Sequence, residues 1–135
     1  MSFATSAALQ TAIFRRLEND SRVGTALSGH LYDAVPEGPL PGLYATLGEE
    51  RVRAASDATG RGAWHDLALS VVTEAAGFLS AKEAAVAICD ALDQADLSLS
   101  RGRLVSLRFV KARAARAAGG FRRIDMTFRA RTESA

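Results

Sequence analysis

The spacing of apolar residues changes rhythm several times along the chain, and each change marks an element. In Trp64-His65-Asp66-Leu67-Ala68-Leu69-Ser70-Val71-Val72-Thr73-Glu74, the residues Leu67, Leu69, Val71 and Thr73 share one parity. A pleated strand turns them to a single face and gives Asp66, Ala68 and Ser70 to the other. Gly77 interrupts the alternation, and Ser80-Ala81-Lys82-Glu83 comes next with the spacing of a capping box. There a serine hydroxyl and a glutamate carboxylate satisfy each other's backbone donors at a helix start. Ala84, Ile88, Ala91, Leu92 and Ala95 then fall on one stripe at helical periodicity, with Lys82, Glu83, Asp90, Asp93 and Gln94 on the wet side. One strand and one helix thus share a core.

The same reading extends in both directions. From Thr5 to Glu18, Leu9, Ile13 and Leu17 recur every fourth residue beside Ala8 and Ala12, which predicts a first helix. Asn19, Asp20 and Ser21 end it, and Val23 to Leu27 adds a short turn before Gly29. The interval from His30 to Gly42 holds Pro36, Pro39 and Pro41 with Gly38 and reads as a surface loop, because proline withholds a donor and fixes φ. Leu43, Ala45 and Leu47 share one side of a strand that continues to Ala55 with a solvated far half. Ser56 to Ala63 is rich in turn formers and makes a hairpin tip before Trp64. Near the C-terminus, Leu104 to Val110 places Val105, Leu107 and Phe109 together, and Phe121 to Arg131 places Ile124, Met126 and Phe128 together. Gly119-Gly120 bends the chain between these strands, with Lys111 to Ala118 as an extended arm. The predicted architecture is α+β: a two-layer sandwich with one mainly antiparallel four-stranded sheet and two helices on one face, ordered helix, strand, strand, helix, strand, strand.

Composition narrows the class. At 135 residues and 48% hydrophobic, the chain fits a single domain over 1–135. Its apolar runs fall short of the ~20 residues of a membrane span, and no secretory signal pattern opens it, so a soluble protein made in the cytoplasm is expected. Cys89, the single cysteine, reads as a core thiol. Net charge is only +2 but unevenly spread. Arginine and Lys111 crowd the last third, whereas the helix after Ser80 is acidic.

Candidate chemistry is sparse. His30 sits in a loop and His65 on a strand, without a second histidine or cysteine at metal spacing. A triad of His65, Asp66 and a serine fails because adjacent strand residues point to opposite faces. Thr59-Gly60-Arg61-Gly62 lacks the ending of a phosphate loop and precedes a strand. Asp90, Asp93 and Asp96 read as a solvated helix face, and Trp64 as a lid over packing. No catalytic, cofactor-binding or metal-ligating residue is therefore assigned. The remaining signal is the last strand, where Arg123, Asp125, Thr127, Arg129 and Arg131 share one face. Such a face suits assembly or a polyanion, and lacks the aromatic platform or reading helix of sequence-specific nucleic-acid recognition.

The N-terminal Ala-Leu-Gln-Thr-Ala-Ile-Phe-Arg-Arg-Leu, the segment Pro39 to Tyr44, the core Trp64 to Val72, the helix from Ser80 to Leu92 and the arginine-rich closing hairpin, in that order, resemble the DUF3168 tail-completion proteins. These include tail terminators of long-tailed phages and of gene transfer agents. One departure is that Gly42 and Leu43 separate the last proline from Tyr44, where relatives often place proline directly before the aromatic. The resemblance implies a homohexameric ring at the head-proximal end of a virion or phage-like tail. The ring ends tail-tube polymerisation and joins the tube protein to the head-completion, or stopper, protein, while DNA passes through the lumen without sequence recognition. It implies no enzyme, cofactor or membrane. An acidic helix and basic strands on one subunit suit head-to-tail contacts, so the expected assembly residues are Arg61, Arg108, Lys111, Arg113, Arg116, Arg122, Arg129, Arg131, Asp90 and Asp93. A lumen lined by arginines would hold phosphates, so Arg108, Lys111, Arg113, Arg122, Arg129 and Arg131 are expected to meet acidic partner surfaces. The competing reading is a small basic nucleic-acid-binding α+β module. A small hydrolase ranks last, for want of convergent polar groups.

Overall fold

The structure, a computed structural model, describes residues 3–55 and 61–134. The expected hairpin tip at Ser56 to Gly60 lies outside the described residues. Helix α1 (Ser6–Glu18) is followed by α2 (Ser21–Leu27), β1 (Leu31–Tyr32), β2 (Leu43–Ala54), β3 (Gly62–Thr73), α3 (Leu79–Leu92), β4 (Arg103–Arg116), a short 3-10 turn (Ala118–Gly120) and β5 (Arg122–Glu133). The fold is α+β as expected, but with three helices and a mixed five-stranded sheet ordered β1-β2-β3-β5-β4. Two corrections produce the difference. Val23 to Leu27 belongs to a true helix, since the Asp20 carboxylate accepts from the backbone of Arg22 and Val23 and caps it. Within the expected His30 to Gly42 loop, Leu31 and Tyr32 pair in parallel with Ala45 and Thr46 before the prolines begin.

The helices cover one face of the sheet. Leu9, Ile13 and Leu17 of α1, Val23 and Leu27 of α2, and Ala84, Ile88, Ala91 and Leu92 of α3 pack on Leu69, Val71, Leu107, Ile124, Met126 and Phe128. Burying each large side chain contributes about 1.5–3 kcal/mol, and this layer is the main source of stability. The alanines of α3 let that helix approach closely. Its start differs from expectation: the helix begins one residue before Ser80, at Leu79, and Phe78 at the cap position makes no side-chain cap bond. The Ser80–Glu83 capping box therefore does not form. Asp93 ends α3 and accepts from the Phe109 backbone N–H at 2.9 Å, so it is a structural acceptor, and Ala95 packs on the core from beyond the helix.

Register departs from simple alternation at three places. In β2, Leu47 pairs with Leu69 but Glu50 with Leu67, so Gly48 and Glu49 together oppose one residue. In β4, Leu104 pairs with Thr132 and Ser106 with Arg131, leaving Val105 as an extra residue. Phe109 pairs with Phe128 and Lys111 with Thr127, leaving Val110 as another. Each bulge inverts the facing of the residues beyond it. Val105 is consequently exposed and Leu104 buried, which corrects the expected grouping of Val105 with Leu107 and Phe109. The β4–β5 arm is extended as expected, and its bend uses positive φ at Gly119 and Gly120, a conformation that favours glycine.

Deleting Glu49 leaves Gly48 alone opposite Ala68, which makes the ladder regular while Glu50 still pairs with Leu67 and Arg51 with Asp66. Such a deletion is expected to change stability by less than about 1 kcal/mol by urea denaturation, whereas Glu50→Arg, which puts a guanidinium beside His65, costs at least about 2 kcal/mol.

Candidate assembly interface

The sheet face away from the helices, here the outer face, carries most of the chain's organised charge. Reading across β2, β3, β5 and β4, one row runs Arg51, Asp66, Arg129, Arg108; the next toward the far end runs Arg53, Trp64, Arg131, Ser106. On the other side lie Thr46, Ser70, Asp125 and Arg113. Between these rows sit Ala68, Thr127 and Lys111. The bulges at Gly48–Glu49 and Val110 fall at this level, and they bring Arg51, Arg53, Lys111 and Arg113 to the outer face. Regular alternation from Leu47 and Phe109 would have sent all four to the helix side.

Some of these cations are locked. Arg129 Nε donates to Asp66 at 2.7 Å. That hydrogen bond, opposed by partial burial and assisted by the charges of Arg129, Arg53 and Lys111, holds the Asp66 carboxyl below its ordinary range. Arg123 donates to Asp125 at 3.0 Å and to the Ser70 hydroxyl. Arg53 and Arg131 lie over the Trp64 ring at 5.5 and 5.3 Å, so the lone tryptophan is clamped between two guanidinium groups. Arg131 also donates to the Ala55 carbonyl. Arg51, Arg108, Lys111 and Arg113 are exposed and, among the described residues, make no ion pair. Arg108 and Arg129 stand directly opposite each other, a like-charge pair that costs stability.

The expected assembly residues are thus divided by the fold. Arg108, Lys111, Arg113, Arg129 and Arg131 share the outer face. Arg116 and Arg122 pair across the tip of the arm on the helix side, where Arg122 lies over the Phe78 ring and donates to Ala75 O. Exposed Arg61 stands at the start of β3, its carbonyl accepting from Ser134. Asp90 forms an exposed pair with Arg22 at 2.8 Å and Asp93 is taken up by β4, so neither acid is free to the degree its sequence position implies. Beside Asp90, α2 and α3 frame a groove of about 650 Å3 with Leu79 and Val86 exposed along it.

A second polar cluster escaped the sequence reading because its members are far apart in the chain. His65 is fully buried; its Nδ1 lies 2.9 Å from Glu50 and its Nε2 2.9 Å from the Thr132 hydroxyl. Thr5 Oγ1 lies 2.8 Å from Thr132 Oγ1, and Ser6 donates to the other Glu50 oxygen. With the ring protonated at Nδ1, Thr5 donates to Thr132, Thr132 to Nε2 and Nδ1 to the carboxylate, which satisfies each group in turn. The order carboxylate, imidazole, hydroxyl is that of a hydrolytic relay. Thr132 and Thr5 are only 1% and 2% exposed, however, so no substrate carbonyl reaches either hydroxyl. The cluster ties the start of α1 to three strands. Thr5, by sequence a natural helix cap, makes no cap bond because its hydroxyl serves here. The expectation that His65 is no catalytic base through Asp66 agrees with this geometry, since its acid partner is Glu50. Among the described residues, no three His, Cys, Asp or Glu side chains gather as metal ligands. Cys89 is half-buried, with Sγ 3.8 Å from Met126 Sδ; burial, then Asp90 and Asp93, push its thiol up.

Burial raises the Glu50 pKa, but hydrogen bonds from His65 and Ser6, with the electrostatic attraction of the His65 ring, outweigh it, so the net shift is downward from 4.5. A depressed carboxylate pKa adds stability that is present above the unfolded value and lost as pH falls through the folded one. Wild-type stability is therefore expected to decline below about pH 4.5, and Glu50→Gln to flatten that limb while lowering stability at pH 7 by about 1–3 kcal/mol, as read by urea denaturation at a series of pH values.

None of the curated proteins matches this chain. Among solved structures, a chain of the virion of a native gene transfer agent particle superposes with a TM-score of 0.93 at 52% identity, covering 98% of this chain and 100% of that one. The family model of the tail completion protein gp17 matches residues 11–133, from the second turn of α1 to the end of β5. A match over nearly every element that builds the core and the basic face settles the kinship: the chain belongs to the gp17 tail completion protein family.

Proposed function

We propose that this protein is a structural component of a phage-like tail that acts as its terminator. Six copies form a ring that ends tube polymerisation at the head-proximal end and joins the tube to the head-completion, or stopper, protein, with DNA passing through the lumen. The observation that carries this reading is the near-complete correspondence, in fold and along the whole length, with a chain of a gene transfer agent virion. The geometry supports it. The chain invests its organised polar chemistry in a broad charged face and in a buried cluster closed to substrates, which suits binding of large surfaces and not turnover of small ones.

The exposed cations Arg51, Arg108, Lys111 and Arg113 favour a second reading, a nucleic-acid-binding module, which predicts DNA affinity that falls steeply with salt and no higher assembly. Light scattering distinguishes the two: a mass of six subunits is expected, and a permanent monomer at high concentration refutes the ring. In particles made without the protein, electron microscopy is expected to show tails of uncontrolled length or tails detached from heads; normal particles overturn the assignment.

A further inference from the structure

The outer face is not flat. At the level of the two aligned bulges its residues are small, Gly48, Ala68 and Thr127, and a Cβ added to Gly48 would lie 3.2 Å from the Ala68 methyl. Larger side chains rise on either side, and the result is a dent of about 360 Å3 walled by Arg51, Lys111 and Arg129, with Glu49 and Asp66 at its margin. Arg129 is already held by Asp66, whereas Arg51 and Lys111 are exposed and, among the described residues, form no ion pair. Of the chain's own acids, the two expected to meet these cations from a second copy are already engaged, Asp90 by Arg22 and Asp93 by the β4 backbone.

We infer that this dent receives a carboxylate-bearing segment of a different protein of the particle, Arg51 and Lys111 closing on the incoming Asp or Glu. This rests on the tail-joining reading and names the chemistry of one of its contacts. An acidic protein segment fits better than a phosphate backbone. Glu49 and Asp66 line the dent and Asp125 stands just beyond it, so a continuous line of phosphates meets three acids, whereas a single carboxylate placed between Arg51 and Lys111 meets two unpaired cations and relieves the repulsion among Arg108, Lys111 and Arg129. Small residues at the floor and long cations at the rim admit one side chain, a form of recognition that DNA does not need.

The chain has two lysines, Lys82 on α3 and Lys111 in the dent, so zero-length carbodiimide coupling of purified particles reads this contact directly. Mass spectrometry is expected to find Lys111 joined to an Asp or Glu of a different protein. Lys111→Arg, which keeps the charge but lacks the amine, abolishes the product and leaves the particles intact. Arg51→Glu combined with Lys111→Glu is expected to lower the yield of joined particles at least tenfold without changing the mass of the isolated assembly. Coupling of Lys111 to another copy of this chain, absence of coupling, a formaldehyde adduct of Lys111 with DNA in its place, or a charge-reversed variant that joins normally or no longer self-assembles would each overturn the inference. Failure of the ring reading itself is seen separately, in the mass of the wild-type protein.

Discussion

Two extra residues in the sheet, one at Gly48–Glu49 and one at Val110, decide which face every charged residue beyond them occupies. Both fall at the level of Ala68 and Thr127, so the outer strands of the β2-β3-β5-β4 array change facing together. The driving force is desolvation. Regular alternation from Leu47 would carry Arg51 to the half-buried place that Glu50 holds beside His65, where a guanidinium finds no acid partner. A bulge breaks one step of the ladder, which is a smaller loss than an unpaired charge near the core. The same step turns Glu50 inward, the one acid in that run with a waiting partner.

The buried chain from Thr5 through Thr132 and His65 to Glu50 and Ser6 is a consequence of that shift. It forms only because β2 moves by one residue, and it anchors the first turn of α1 over the far half of the sheet. Gly102 fits the same corner: its φ is positive, and a Cβ there would collide with the Thr5 methyl, which leaves no room for another residue. A polar network inside a small domain contributes less to stability than to uniqueness, because alternative registers leave its members unpaired. Register matters here because the position of the outer-face cations depends on it.

Charge is distributed accordingly. On the outer face, Asp66 and Asp125 hold Arg129 and Arg123 in place, and Trp64 holds Arg53 and Arg131, so half-exposed side chains are ordered before any partner arrives. Ordering in advance lowers the entropic cost of association. Arg51, Arg108, Lys111 and Arg113 remain at the margins of this fixed lattice. Such a surface suits a structural component of a tail, the role to which the tail completion family points.

Much of this was legible in the sequence. The stripe of Leu9, Ile13 and Leu17, the parity of Leu67, Leu69 and Val71 and of Ile124, Met126 and Phe128, and the bend at Gly119–Gly120 are local consequences of periodicity and backbone freedom, and all appear in the fold. So is the separation of Arg123, Arg129 and Arg131 from the core, because β5 contains no bulge. What lay outside its reach depends on neighbours distant in the chain. The facing of Lys111 and Arg113 turns on an extra residue that only the pairing of Phe109 with Phe128 reveals. The role of His65 turns on Glu50 and Thr132, brought together from separate strands, and the loss of Asp93 as a free acid turns on the β4 backbone. Alternation specifies which residues share a face within one strand; which face that is, once a bulge intervenes, is set by the adjoining strands and the helix layer, where burying an unpaired charge costs more than interrupting a ladder.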